Sequence, residues 1–474
     1  MKSSLCTILL ILVASLPLPA LPPVQVTVTV DSSHPAPALP DDYAGLSYET
    51  KREMPDEAGK YYFSGNNTAL ATMFRTLGIK NLRIGGNTVD SPKVAIPGNA
   101  DIDQLFAFAK AADAKVIYSF RLHNGDAAAS ATQAKYIADH YEPNLLCFSI
   151  GNEPDIYIHT WDGYMKAFQP IYDAINQAVP DAKYCGPSLT SNARSWAHDF
   201  AAQYSPGGKI IYVGQHEYAG GAGGKQKDPV AGRSLMLSPA WHDTYQTYYD
   251  KFVPGLNNVP YRLEEANNFY NGGAQDISDT FASALWGLDY LYWWAAHGSQ
   301  GINFHNGDEV AAGQKLTPCR YASFTSVTDG YFAHPLAYAI KMFNLGSKGQ
   351  IVSVNVQQVH TQEDSKSSDL NFAAYAVLGA DKNLYVTLIN KEHDASARDA
   401  DVTLQTGGSY TEAESIALTA PNGDVSAKDG ITLGGAGIGH DGTWKESWSN
   451  APAPASGSLH VTVPSCSVLL LRLH

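Results

Sequence analysis

From residue 43 to about residue 307, short β-rich runs alternate with helical stretches eight times, and no other feature of the chain constrains its fold as strongly. The runs are "YAGLSYE", "NLRIGG", "VIYSFRL", "LLCFSIG", "KYCGPS", "IIYVGQHEY", "VPYRLEEA" and "GINFHNG". Between them lie stretches such as "TALATMFRTLG", "IDQLFAFAKAAD", "ATQAKYIADHY" and "YMKAFQPIYDAINQAV", with apolar residues three and four apart. A helix between two strands makes a crossover, and crossovers lay strands parallel. Eight such units, closed by "PLAYAIKMFNLG", predict an α/β fold, a (β/α)8 TIM barrel over residues 37–346.

After residue 346 the pattern changes to strand-like runs broken by Gly, Asn and Asp, among them "IVSVNVQQVHT", "NFAAYAVLGA", "NLYVTLIN", "ADVTLQT", "ESIALTA" and "SVLLLRLH". These predict a C-terminal antiparallel β-sandwich domain over 347–474. The early run "VQVTVTVDSS" alternates like a strand but precedes the barrel. Residues 21–36 are therefore expected to join the sandwich, so that the chain begins and ends in one domain.

Residues 1–20 combine a Lys, an apolar run and small residues near Ala20, the pattern of a secretory signal peptide. A secreted or periplasmic location is expected, with no membrane anchor. The most apolar later run, "FASALWGLDYLYWWAAHG", carries Asp289 and His297 and suits a barrel helix. Against 46 acidic residues stand 32 basic ones, a formal net charge of −14 without any Lys/Arg run. That argues against nucleic acid or densely sulfated polyanions as partners, and a monomer is expected. Cys147, Cys185, Cys319 and Cys466 lack zinc-type spacing, and buried thiols are the simpler expectation for them. Asn66 heads a glycosylation sequon, which matters only in a glycosylating host.

In a TIM barrel the reacting groups come from the C-terminal ends of the strands. Glu153 follows the fourth run, in "SIGNEPD"; Glu264 and Glu265 close the seventh, and His216 and Tyr218 the sixth. Two carboxylates facing each other across a barrel mouth are what glycoside hydrolysis requires. The plain alternative for Glu153 is an acid in the first turn of a helix, a role Asp155 could fill equally well. Of Glu264 and Glu265, strand alternation lets only one face the axis; Glu264 shares its side with Arg262 and could pair with it under the helices, and alternation does not say which side is inward. His123, His216 and His305 raise a metal-hydrolase alternative, but H-x-H and H-E-x-x-H are absent. No metal and no cofactor are expected. No G-x-S-x-G elbow supports a Ser nucleophile.

"SIGNEPD" resembles the acid/base motif of the clan A retaining glycoside hydrolases, whose second Glu closes strand seven. More closely, "EEANNFYNGGAQDISDTFASALWGLDYL" resembles the nucleophile region of glycoside hydrolase family 79, the β-glucuronidases and heparanases. There a Glu precedes a Tyr by five residues, a Gly-rich turn follows, and then a Ser-Asp-Thr-Phe helix start. That register implies Glu265 as nucleophile and Glu153 as acid/base. The resemblance further implies substrate contacts from Asn152 at the sugar 2-hydroxyl, Glu49 in "GLSYE", Asn87 in "LRIGGN", and His216 and Tyr218 in "GQHEY". A uronate carboxylate would be held by Tyr270, Gly272 and a Tyr of the loop after strand eight, Tyr321 being preferred over Tyr331. The implied function is retaining hydrolysis of terminal β-linked glucuronic acid from glycans, with Glu153 expected to carry a raised pKa. Alternatives are an endo-acting heparanase-like enzyme, another clan A activity such as β-xylosidase, and a non-catalytic carbohydrate-binding protein. The low net charge favours the exo-enzyme, because heparanase-type polyanions call for basic flanking patches.

Overall fold

A computed structural model describes residues 21–190, 194–312, 315–359, 369–408 and 410–474. The leader-like residues 1–20 lie outside them. Eight parallel strands close a barrel: β2 (Ala44–Glu49), β3 (Asn81–Gly85), β4 (Lys115–Phe120), β5 (Leu145–Ile150), β6 (Tyr184–Leu189), β7 (Ile210–Ala222), β8 (Tyr261–Tyr270) and β9 (Ile302–His305). Each coincides with one of the eight runs, and β9 pairs with β2 to complete the ring. The crossovers are α1 (Thr68–Leu77), α2 (Asn99–Ala112), α3 (Ala127–Tyr141), α4 (Trp161–Ala178), α5 (Arg194–Tyr204), the pair α6 (Pro229–Leu237) and α7 (Pro239–Phe252), and α8 (Phe281–Ala296). After β9 the chain forms two hairpins, β10 (Glu309–Ala312) with β11 (Lys315–Pro318) and β12 (Phe324–Val327) with β13 (Gly330–Ala333), before α9 (Pro335–Gly346).

The barrel interior is polar. At its base Asn303 Nδ2 donates to Asn81 Oδ1 (2.8 Å), and Arg262 Nε donates to Asn303 Oδ1 (2.7 Å). A Cβ on Gly45 would come within 2.6 Å of Asn303 Nδ2, so strand one needs Gly there to make room for these side chains.

The C-terminal sheet comprises β14 (Gly349–Val359), β15 (Phe372–Gly379), β16 (Leu384–Asn390), β17 (Ala400–Gln405), β18 (Ala413–Thr419), the two-residue β19 (Thr432–Leu433) and β20 (Ser449–Asn450), β21 (Ser458–Val463) and β22 (Ser467–Leu473). The N-terminal β1 (Val24–Asp31) pairs antiparallel with β14. On its other side β1 runs parallel to β17, an exception to the antiparallel pattern. The sheet curls so that Val26, Val28, Val386, Val402, Leu404 and Leu471 share one core.

The opposite face of the sheet packs on the barrel through α8 and α9. This explains the long apolar run: α8 is buried along nearly its whole length between barrel and sheet. Among the described residues no helix is long and apolar enough to cross a membrane. Polar contacts lock this junction. Asp289 of α8 accepts from Lys391 Nζ (2.6 Å) and Tyr375 OH (2.6 Å), and lies 2.7 Å from His242 Nε2. Burial pushes the Asp289 carboxyl up, but Lys391 and His242 outweigh it and hold the group well below the usual carboxylate range. Tyr375→Phe removes one hydrogen bond to this charge and is expected to cost about 1.5–3 kcal/mol in urea denaturation.

Candidate active site

The C-terminal ends of β3, β5, β7, β8 and β9 bring one group of side chains together over the barrel mouth. Glu153 follows β5 in the left-handed region (φ +46°), with its amide donating to the Ser188 carbonyl (2.8 Å). Its Oε1 lies 3.0 Å from His216 Nδ1. Opposite, Glu265 Oε2 accepts from Arg83 Nη1 (2.8 Å) and Oε1 accepts from Tyr218 OH (2.8 Å), with His305 Nδ1 at 3.5 Å. Carboxylate oxygens of Glu153 and Glu265 and a ring nitrogen of His216 all fall within 4.8 Å of one another.

Two predictions about neighbours of this pair fail. Glu264 makes no ion pair with Arg262; its Oε2 instead accepts from Ser188 Oγ (2.6 Å), and Arg262 turns to Asp42 and Asn303 at the barrel base. Nor does only one of the adjacent glutamates face inward. Against β7, Leu263 pairs with Gln215 and Glu265 with His216, leaving Glu264 as the extra residue of a β-bulge. A second register shift against β9 falls between Leu263 and Ala266. The irregularity breaks the alternation, so both side chains point into the barrel, Glu264 below and Glu265 at the mouth. Gly214 of β7 makes this packing feasible, since a Cβ there would come within 1.7 Å of Glu264 Oε1.

The surroundings of Glu265 favour its ionised form. Burial raises Glu265, but His305, His216, Arg83 and the Tyr218 hydrogen bond outweigh it and bring it down to about 2. His305 goes the other way: burial lowers it, yet Glu265 and Glu49 together raise it above its ordinary value. Glu265 has a folded pKa below its ordinary 4.5, so its contribution to stability is present above pH 4.5 and is lost as pH falls toward 2. Wild-type protein is therefore expected to lose stability more steeply than Glu265→Gln across that window, as read by thermal melting.

The remaining predicted residues divide. Asn152 sits between the pair and strand two, accepting from Arg83 Nη2 (2.7 Å) and donating to Asn87 Oδ1 (3.3 Å). Tyr218, Tyr321 and the exposed Tyr270 form an aromatic wall beside Glu265, with ring centroids 6.2 and 6.4 Å from Tyr218. Gly272 (φ +88°) turns the chain at the end of this wall and accepts from the Arg320 amide (2.7 Å). Glu49 is buried, with both its oxygens engaged by Thr88 and the Ala311 amide and with His305 Nε2 3.6 Å away, so it braces the loops beside the pair. Tyr331 is not brought to the pair. Its hydroxyl accepts from Asn67 Nδ2 (2.7 Å) and its ring packs against Tyr62 and Phe324. Asp155 caps no helix of its own; it accepts from the Thr190 amide (3.0 Å), tying the loop after β5 to the end of β6.

Of the three histidines considered for metal, His216 and His305 reach Glu265, while His123 stacks on Tyr157 (4.8 Å). The Glu153, His216 and Glu265 spacing also suits a metal ion, but both Glu265 oxygens already accept hydrogen bonds, and the Arg83 guanidinium would oppose a second cation. All four cysteines in the described residues are buried free thiols, with the sulfurs of Cys147 and Cys185 3.2 Å apart inside the barrel. Asn66 is exposed just ahead of α1.

Sequence reasoning missed two residues that organise the site. Arg83 is fully buried and bridges Glu265, Asn152 and Ser47. Asp90 accepts from the amides of Leu122, His123 and Asn152 and from Tyr157 OH, pinning the ends of β4 and β5 together. The signal for Arg83 lay in "NLRIG", where Asn81, Arg83 and Gly85 occupy alternate positions and cannot form an apolar face.

Comparison with known proteins agrees with this architecture. Residues 374–470 match the glycosyl hydrolase family 79 C-terminal beta domain. A β-glucuronidase of Aspergillus niger is 24% identical over 278 residues, 48% of this chain and 50% of the relative. One of Neurospora crassa is 24% identical over 366 residues, 64% of this chain and 62% of the relative. The alignments thus span about half to three-fifths of these curated relatives. Among solved structures, a 4-O-α-L-rhamnosyl-β-D-glucuronidase from Fusarium oxysporum 12S superposes with a TM-score of 0.72 at 17% identity, covering 94% of this chain and 99% of that one. A family 51 arabinofuranosidase from Xanthomonas axonopodis pv. citri gives 0.68 at 14% identity, covering 95% of this chain and 100% of that one. With the Glu265 to Phe281 register, the strand-end carboxylates and the matching C-terminal domain in one chain, the protein is similar to glycoside hydrolase family 79.

Proposed function

We propose that the protein is a retaining β-glucuronidase that releases terminal β-linked glucuronic acid from glycans or glycosides. The reading is carried by the approach of Glu153 and Glu265 oxygens to within 4.8 Å, which suits double displacement, where the carboxyl groups lie about 5–5.5 Å apart, better than inversion, where they lie about 6.5–9.5 Å apart. Glu265, held ionised by Arg83 and Tyr218, attacks the anomeric carbon. Glu153 gives its proton to the departing glycosidic oxygen. The same Glu153 then takes a proton from water, which attacks the glycosyl ester and frees Glu265. Tyr321, Tyr270 and the backbone at Gly272 are the donors placed to hold a uronate carboxylate. The leader-like residues 1–20 support an exported enzyme.

The test is hydrolysis of paired aryl β-glycosides. Release from the glucuronide with little from the xyloside is expected; preference for the xyloside would overturn the uronate assignment.

One observation favours a second reading, cleavage within a longer acidic glycan. Despite the net charge of −14, Lys51, Lys93 and Lys315 line a cleft of about 480 Å³ that also includes Asn87 and Thr88, with no acidic residue among its described lining residues. A basic flank of this kind is what the overall charge argued against. On this reading Lys51→Ala and Lys315→Ala each lower kcat/KM on an acidic oligosaccharide roughly threefold and leave the aryl glucuronide unchanged. Equal rates for variants and wild type on both substrates would leave the exo reading alone.

A further inference from the structure

Glu264 is a buried carboxyl that the double displacement does not use, and its contacts lead to the acid/base. Its Oε2 accepts from Ser188 Oγ (2.6 Å), and Ser149 Oγ lies 3.1 Å from the same hydroxyl. Because Ser188 gives its hydrogen to Glu264, Ser149 is the donor to Ser188. Ser188 is itself unusual. It is the extra residue of the bulge between Pro187 and Leu189 against β7, and it stands in the left-handed region at φ +57°. That conformation frees its carbonyl from the strand ladder. The carbonyl accepts the Glu153 amide at 2.8 Å, the bond that holds Glu153 in its own left-handed conformation. Two non-glycine residues with positive φ are thus stacked, a strained arrangement that persists only where its surroundings impose it. For Ser188 the imposing contact comes from Glu264.

We infer that Glu264 is a positioning residue for the acid/base: through Ser188 it fixes the strained turn that aims Glu153 at the glycosidic oxygen. One dipeptide, split by a β-bulge, would then supply the nucleophile at the mouth and the anchor of the proton donor from below. The inference rests on the glycosidase reading for its catalytic consequence but not for its structural one. Two measurements separate them.

The first is hydrogen exchange of the intact protein, followed by mass spectrometry over residues 147–160. Glu264→Leu and Ser188→Ala are both expected to speed exchange at the Glu153 amide by about tenfold while leaving the ends of β3 and β9 unchanged; a tenfold change corresponds to a loss of about 1.4 kcal/mol of local protection. Unchanged exchange in both variants overturns the inference whatever the enzyme hydrolyses, and general acceleration throughout the barrel reduces Glu264 to a packing role and overturns it equally.

The second is the dependence on leaving group. A glucuronide of a poor leaving group needs the proton from Glu153, and one of 2,4-dinitrophenol does not. Glu264→Leu is expected to lower kcat about tenfold or more on the former, part of the 10²–10⁴-fold that a general acid supplies, with little change on the latter and with KM unchanged. Glu264→Gln, which keeps an acceptor for Ser188, should recover most of the loss. Parallel losses on both substrates would contradict positioning. Hydrolysis of neither by wild type would instead count against the glycosidase reading and leave the exchange result standing.

Discussion

Glu265→Gln is expected to lower kcat on an aryl β-glucuronide by roughly 10⁴-fold or more, because the first step of double displacement forms a bond to this oxygen and an amide cannot form it. Binding should survive. The variant keeps its volume, its amide oxygen can still accept from Arg83 and its NH2 can donate to the Tyr218 oxygen, so glucuronate affinity measured by calorimetry should change little. Glu264 is not a substitute nucleophile despite being its neighbour. It lies enclosed in the barrel beneath the mouth, with one oxygen on Ser188. Substantial residual turnover would therefore require a different nucleophile altogether and would remove Glu265 from the chemistry.

Arg83→Leu is expected to be the most destabilising substitution at the site, at about 3–5 kcal/mol. The guanidinium is fully buried, and its hydrogen bonds run to Glu265, Asn152 and Ser47. Removing it leaves the Glu265 carboxylate buried without its guanidinium counter-charge, and activity should fall with stability. The two origins of the loss are separable. Adding Glu265→Gln to Arg83→Leu removes the stranded charge, so the double variant should recover part of the stability in urea denaturation while remaining inactive. If the double variant is less stable than Arg83→Leu alone, the ion pair does not carry the effect.

The barrel was legible because each strand is a short β-rich run set between helices of clear periodicity, and the eightfold alternation leaves little choice of assignment. The edges of the fold were less so. β21, "SLHVTV", follows a stretch of Pro, Ala, Ser and Gly that masks it, and the two hairpins after β9 read as a single long loop. Joining β1 to the C-terminal sheet followed from its alternation, but its parallel pairing with β17 did not, since nothing local encodes which strand a strand pairs with.

At the site, the two catalytic candidates were legible from strand position and motif register. The side-chain directions around them were not. Alternation assumes a regular strand, and the bulges at Glu264 and Ser188 turn inward residues that the rule sends elsewhere. Glu49 and Tyr331 show a related limit: both have residue types suited to sugar binding, and both are already bonded within the protein. Lys51, Lys93 and Lys315 are far apart in sequence, so a net charge of −14 concealed a basic cleft that only folding assembles.

Trapping with a 2-deoxy-2-fluoro-β-D-glucuronyl fluoride tests the central claim most directly. The fluorine slows both steps, the fluoride leaves without needing a proton, and the glycosyl ester then accumulates. Mass spectrometry of the digested protein should find one adduct per chain, on Glu265. An adduct on any other residue, or turnover of this reagent to product with no ester at any time, would contradict a retaining glucuronidase built on Glu265 and Glu153.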